Sequence, residues 1–92
     1  MAVLSDDEIT SRLESLEGWE RDGDALKRQL KFEDFQGSVD FVNRITPVAE
    51  EMNHHPDICI SWNTVDLSLS THSEGGITEG DFELAAKIDS LA

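Results

Sequence analysis

Residues 58–69, ICISWNTVDLSL, contain two runs in which apolar and polar side chains alternate. The apolar side chains occupy every second position from 58 to 62 and again from 65 to 69. A period of two is typical of strands that bury one face, and Asn63-Thr64 separates the two runs as a short turn. The stretch therefore predicts an antiparallel hairpin in which residue 62 pairs with 65 and residue 58 with 69.

A second pair of strands is predicted before this hairpin. Residues 19–22 are interpreted as a short strand, and Asp22-Gly23 is a strong turn signal. Residues 26–32 then alternate apolar and polar side chains, although Arg28 interrupts the apolar set. The chain therefore predicts four strands, arranged as two hairpins.

Helix signals stand near both ends of the chain. Ser5 is a good N-cap and Glu8 completes a capping box, so we expect a first helix that stops near Gly18. Thr78 and Asp81 repeat the capping-box spacing, with Asp81 as the acid at the third helical position. We therefore predict a last helix that begins after Thr78.

A longer helix is predicted over about residues 35–53, where apolar side chains recur at helical spacing. Pro47 is unfavourable within it, because proline lacks a backbone donor and crowds the carbonyl of Asn43. The cost is roughly 3 kcal/mol in a helix interior. We expect a kink at this position or a division into two shorter helices.

The predicted order of elements is α-β-β-α-β-β-α. Because helices and hairpins are segregated along the chain, this order favours an α+β fold, a four-stranded antiparallel sheet with three helices packed on one face. A chain of 92 residues can bury one modest core, so we predict a single domain over residues 1–92.

Charge and composition argue against several classes of function. The chain has 20 acidic and 7 basic residues and a net charge of −13, which argues against nucleic acid or an anionic membrane surface as a partner. No apolar run approaches the ~18 residues of a membrane span, and the N-terminus lacks the segments of a signal peptide. Cys59 is the only cysteine, so no intrachain disulfide can form, and a reducing cytoplasm is the expected location.

The three histidines are the strongest functional signal in the chain. His54 and His55 are adjacent, and His72 follows the second strand of the hairpin. The predicted register, extended beyond the strands, places residue 72 opposite residue 55, where Cβ atoms lie about 5 Å apart. Imidazole exchanges protons near neutral pH, so the convergence of all three predicts proton-transfer chemistry.

The same residues are also compatible with plainer roles. The histidines could be solvated surface residues. Neutral imidazoles could also bind Zn²⁺ with an oxygen from Glu50 or Asp57, although no standard ligand spacing is present. Asp81 is explained by its helix cap alone, and Trp62 by packing in the hairpin.

Several residues in the second half of the chain have a spacing that is typical of one enzyme family. The segments LKFEDF (30–35), LSTH (69–72) and DFELA (81–85) also resemble segments of that family. Together these features resemble the pterin-4a-carbinolamine dehydratases over nearly the whole chain, from about Leu4 to the end. The residues that define the intervals are Glu50, His54, His55, Pro56, Trp62, His72 and Asp81.

The resemblance implies an activity, a fold and partners. Family members have a four-stranded antiparallel sheet with three helices on one side. They remove water from 4a-hydroxytetrahydropterins, the products of aromatic amino acid hydroxylases, and give the quinonoid dihydropterin, which is then reduced for reuse. They require no metal or organic cofactor, and they commonly form homodimers and homotetramers.

The resemblance also implies roles for the central residues. His54 and His72 would be the general acids that protonate the leaving hydroxyl, on opposite faces of the pterin. His55 would mainly hold the substrate, and Glu50 would orient or charge-stabilise a histidine.

Three supporting residues belong to the same family pattern. Pro56 follows the histidine pair. Trp62 stands where tyrosine is frequent, and its indole can donate but not accept a hydrogen bond. Asp81 has its helix cap as a sufficient explanation, which weakens a catalytic role.

The resemblance leaves two alternatives. Animal members also bind a dimeric transcription factor, so the fold could serve as a non-catalytic interaction or regulatory protein. The chain could also act on, or bind, a different pterin.

Overall fold

The computed structural model describes residues 2–92, which form three helices and four strands in the order α-β-β-α-β-β-α. The strands pair as one antiparallel sheet in the order β1-β2-β4-β3, and this confirms the predicted α+β fold. The helices are α1 (Asp6–Leu13), α2 (Phe35–Met52) and α3 (Glu79–Leu91), and the strands are β1 (Glu20–Asp22), β2 (Ala25–Lys31), β3 (Asp57–Ser61) and β4 (Thr64–Leu69).

The core lies between one face of the sheet and the helices. β4 buries Val65, Leu67 and Leu69, while the residues between them are exposed or half-buried. Each such side chain contributes about 1.5–3 kcal/mol when it is removed from water. The other face of the sheet carries polar side chains. The helical residues that complete the core are Ile9, Phe41, Ile45, Ala49, Phe82, Leu84, Ala85 and Ile88.

The predicted hairpin of β3 and β4 is present, but its register differs from the prediction. Ile58 pairs with Leu67 rather than with Leu69, so residue 70, not 72, would stand opposite 55 if the ladder continued. The two loop residues are Trp62 and Asn63, one position earlier than predicted.

Neighbouring segments hold this turn in place. The carbonyl of Trp62 accepts a hydrogen bond from the Ser38 hydroxyl at 2.9 Å, and the carbonyl of Asn63 accepts the backbone N–H of Phe32 at 2.7 Å. Trp62 takes the left-handed conformation, with φ +51°. Such a conformation persists in a bulky residue when its surroundings over-determine it.

The helices differ from the predictions at two places. α1 begins with the predicted capping box of Ser5 and Glu8, but it ends at Leu13 instead of near Gly18. Gly18, at φ +87°, instead lies in the turn that leads to β1. α2 continues through Pro47, so the division into two helices does not occur. The side chains of α2 that are buried in the core stabilise it despite the lost backbone bond.

Arg28 explains the break in the apolar pattern of β2. Its half-buried guanidinium binds the carboxylate of Asp89 in α3, and the Trp19 indole N–H donates to the same oxygen at 2.9 Å. A charged side chain can therefore lie on the face that the helices cover, because a buried charge is tolerated when it is paired.

None of the helices in residues 2–92 combines the length and the hydropathy that a bilayer crossing requires.

Candidate active site

The segment that carries His54 and His55 is fixed at both of its ends. α2 ends at Asn53, which takes the left-handed conformation with φ +50°, and the backbone N–H of His54 donates to the carbonyl of Ala49 at 3.0 Å. Pro56 is half-buried and immediately precedes β3, and its ring fixes its φ angle. The two histidines therefore lie in a short connection with little backbone freedom.

His54 binds the carboxylate of Asp81. The distance from His54 Nε2 to Asp81 Oδ1 is 2.5 Å, and the side chains are 14% and 0% exposed. An ionised carboxylate can only accept, so Nε2 carries the proton of this bond and Nδ1 is the other ring nitrogen.

Within residues 2–92, the carboxylate of Asp81 accepts three hydrogen bonds. Its Oδ2 accepts the Thr71 hydroxyl at 3.0 Å and the backbone N–H of Thr78 at 2.9 Å. The bond from Thr78 confirms that Asp81 caps α3, as predicted. The cap occupies only one oxygen, however, and the other oxygen binds His54. These bonds offset the cost of burying the carboxylate.

His55 binds a different carboxylate. The distance from His55 Nε2 to Glu50 Oε2 is also 2.5 Å, but these side chains are 56% and 68% exposed. Glu50 lies in the last turn of α2, five residues before His55. Glu50 is therefore the carboxylate partner of His55.

His72 lies in the turn after β4 and is exposed. It lines a hollow of about 290 Å³ together with Asp24, Asp57, Ser68 and Ser70. The connection to His54 runs through Thr71, which precedes His72 in the chain and binds Asp81. Asp81 and Thr71, rather than the extended hairpin register, link the two histidines.

A larger hollow, of about 570 Å³, lies on the open face of the sheet. Its lining includes Lys27, Gln29, Cys59 and Asp66, and within residues 2–92 it includes none of the three histidines. The smaller hollow beside His72 is therefore the better candidate for the reacting part of a substrate.

Trp62 does not join the histidines within this chain. It is 66% exposed and lies at the tip of the hairpin, whereas His55 and Pro56 precede the opposite end of β3. With a rise of about 3.3 Å per residue, the strand separates the two positions by roughly 20 Å. Within residues 2–92, Trp62 therefore does not lie beside these histidines, and its supporting role stays a prediction.

Sequence reasoning missed Thr71 and Thr78 as members of the site. Their hydroxyl oxygens lie 2.8 Å apart beside Asp81, and both residues are buried. Thr71 stands in the segment LSTH, but a threonine at the end of a strand has no distinctive signal of its own. The described residues, 2–92, contain no group of three or more His, Cys, Asp and Glu side chains that could hold a metal ion.

Comparison with known proteins gives one consistent family. The model of the family described as Pterin 4 alpha carbinolamine dehydratase matches residues 2–91. A relative from Sulfolobus acidocaldarius is 53% identical over 88 residues, which are 96% of this chain and 97% of that protein. One from Mycobacterium bovis is 48% identical over 91 residues, 99% and 97% of the two chains. Both relatives provisionally carry the name pterin-4-alpha-carbinolamine dehydratase.

Two solved structures share the architecture. A crystal structure described as a transcriptional coactivator/pterin dehydratase from Brucella melitensis has a TM-score of 0.94 and 36% identity, with 98% of each chain covered. A pterin dehydratase-like protein, identified as a RuBisCO assembly factor in the alpha-carboxysome, has a TM-score of 0.65 and 23% identity. That match covers 80% of this chain and 86% of the other, and it shows a shared fold only.

Proposed function

The chain belongs to the pterin-4-alpha-carbinolamine dehydratase family, and we therefore propose that it removes water from a 4a-hydroxytetrahydropterin to give the quinonoid dihydropterin. The observation that carries the proposal is the pairing of His54 with the buried carboxylate of Asp81. Asp81 also binds Thr71, the residue before His72, and His72 lines the polar hollow.

The reaction needs one proton delivered and one removed. The lone pair of pterin N5 forms a double bond to C4a while the bond from C4a to the hydroxyl oxygen breaks. An acid protonates that oxygen, so it leaves as water, and the cationic ring then loses one N–H proton to a base. Imidazole can perform both steps near neutral pH, an effect worth typically about 10²–10⁴-fold.

His54 is the general acid that this geometry favours most. Asp81 occupies Nε2, so Nδ1 is the nitrogen that delivers the proton to the leaving hydroxyl. The carboxylate fixes the orientation of the ring and its tautomer, because Nε2 carries the proton of this bond.

His72 and His55 have the other two roles in this proposal. His72 lines the hollow with the Ser68 and Ser70 side chains and acts as the second acid, on the opposite face of the pterin. His55, exposed and paired with Glu50, holds the substrate.

The cellular setting follows from the same proposal. The substrate would be the product of aromatic amino acid hydroxylases, and the product would be reduced for reuse. The reaction needs no metal or organic cofactor, since protonation alone makes the hydroxyl a leaving group. The protein would act in the cytoplasm as a homodimer or homotetramer.

A non-catalytic interaction protein is the second candidate. The Brucella protein of the same fold is described both as a transcriptional coactivator and as a pterin dehydratase. A chain that acts on, or only binds, another pterin is a further alternative. All three histidines and Asp81 are present here, and this favours the enzyme.

The test is the dehydration of freshly generated 4a-hydroxytetrahydropterin by purified protein. We expect acceleration over buffer, and we expect the double variant His54→Ala, His72→Ala to lose it. Cys59→Ser, on the open face of the sheet, is the control and should keep the rate. No acceleration by folded wild-type protein would exclude the dehydratase. Pterin binding without turnover would then favour the pterin binder, and the absence of both binding and turnover would favour the interaction protein. Repeating the assay with other pterin side chains separates the pterin alternatives.

A further inference from the structure

We propose that Thr71 is a positioning residue that sets the geometry of both His54 and His72. Its side chain acts on His54 through Asp81, and its backbone closes the turn that carries His72. This inference rests on the proposed dehydratase function, in which the two histidines are the acids.

The directions of the hydrogen bonds can be assigned from the number of protons available. A hydroxyl has one proton, and the proton of Thr71 goes to Asp81 Oδ2 at 3.0 Å. The Thr71 oxygen must therefore accept in its 2.8 Å contact with the Thr78 hydroxyl. The resulting chain runs from Thr78 to Thr71 to Asp81, and the other oxygen of Asp81 receives the proton of His54 Nε2.

The backbone of Thr71 shapes the following turn. Its N–H donates to the carbonyl of Gly76 at 2.9 Å, and its carbonyl accepts the N–H groups of Glu74 at 3.0 Å and Gly75 at 2.9 Å. His72 is the first residue inside this turn. Any shift of Thr71 therefore moves the backbone of one acid and the carboxylate partner of the other.

Thr71 is itself too deeply buried, at 8% exposure, to serve as a substrate ligand. Its effect must pass through Asp81 and His72. Removing its hydroxyl leaves Asp81 Oδ2 with the Thr78 N–H alone, so the carboxylate can rotate and His54 loses its fixed orientation. A misplacement of about 1 Å in an active site can cost about 100-fold in rate.

The test compares Thr71→Val, which keeps the shape and removes the hydroxyl, with Thr71→Ser, which keeps the hydroxyl. Thr46→Val is the matched control, because Thr46 lies on the exposed side of α2 and, among residues 2–92, its hydroxyl binds only the Val42 carbonyl of its own helix. We expect Thr71→Val to lower kcat by about 10- to 100-fold with KM changed less than about twofold. Thr71→Ser should restore most of kcat, and Thr46→Val should match wild type.

A second readout needs no substrate. The Nε2 proton of His54, bonded to a buried carboxylate, should give a downfield proton NMR signal that exchanges slowly with water. Thr71→Val should lose or shift this signal, and Thr71→Ser should keep it. If wild type has no activity but Thr71→Val loses the signal and Thr71→Ser keeps it, the proposed function fails while the positioning of His54 by Thr71 stands.

The proposal is overturned if folded Thr71→Val keeps both the NMR signal and a kcat within twofold of wild type. It is also overturned if Thr71→Ser loses as much kcat as Thr71→Val, because the hydroxyl would then not be the cause. Should Thr71→Val not fold, Thr71→Ala provides the same two readouts with the same expected results.

Discussion

Two adjacent histidines form two pairs with carboxylates at the same distance, 2.5 Å, but in opposite surroundings. His54 meets a fully buried Asp81 that lies 27 residues away in the chain. His55 meets an exposed Glu50 that lies five residues away, on the end of the preceding helix. The distance alone does not distinguish the two pairs.

The surroundings decide what each pair contributes. An exposed pair gains little over hydration by water, roughly 0–1 kcal/mol. A buried carboxylate depends on its partners, because any one that is removed leaves polar groups without bonds. The buried pair therefore fixes a geometry, whereas the exposed pair can rearrange around a substrate at little cost.

The largest contrast is expected in catalysis. His54→Ala should lower kcat by about 10²–10⁴-fold, because it removes a proton donor from the transition state. His55→Ala should mainly raise KM, because a residue that holds the substrate contributes equally to the ground state and the transition state. Steady-state kinetics on the pterin substrate measure both, and equal losses of kcat would remove the distinction between the histidines.

The next contrast is in stability. Asp81→Ala should reduce the free energy of unfolding by about 3–5 kcal/mol, because Thr71, Thr78 and His54 all lose a buried acceptor. Glu50→Ala should change it by less than about 1 kcal/mol. Urea unfolding at neutral pH compares the two, and a loss for Glu50→Ala as large as that for Asp81→Ala would show that burial is not the deciding factor.

The smallest contrast is in the response to salt. The screening length falls from about 30 Å at 0.01 M salt to about 3 Å at 1 M. At a pH where His55 is protonated, the small stability difference between wild type and Glu50→Gln should shrink over this range. The difference for Asp81→Asn should persist, because solvent ions do not reach the buried pair. Thermal unfolding at several salt concentrations measures both stability differences. The same salt dependence in Glu50→Gln and Asp81→Asn would argue against a difference between the exposed and the buried pair.

The sequence predicted those parts of the fold that depend on local patterns. Period-two alternation identified β3 and β4, and the capping boxes at Ser5 and Thr78 identified two helix starts. The position of the turn at Trp62 was not predictable in this way, since Ser38 and Phe32 hold it through contacts from other parts of the chain. The same holds for Pro47, whose cost is offset by packing that only the folded chain reveals.

The site was predictable to a similar extent. Spacing and resemblance predicted His54, His72 and Asp81 as site residues, and the structure shows that Asp81 binds His54 while Glu50 binds His55. The second role of Asp81 remained hidden, because a helix cap already explained its presence. Thr71 was missed because its importance comes from burial beside that carboxylate, and no local pattern encodes burial between distant segments.

The most direct test of the buried pair is kcat for two substitutions that remove a charge and keep the side-chain size, Asp81→Asn and Glu50→Gln. Because only the buried carboxylate holds the acid in place, Asp81→Asn should lower kcat by about 100-fold or more, measured on protein confirmed to be folded. Glu50→Gln should leave kcat within about threefold of wild type. A comparable loss in both variants, or a larger loss in Glu50→Gln, would contradict the central role of the buried pair.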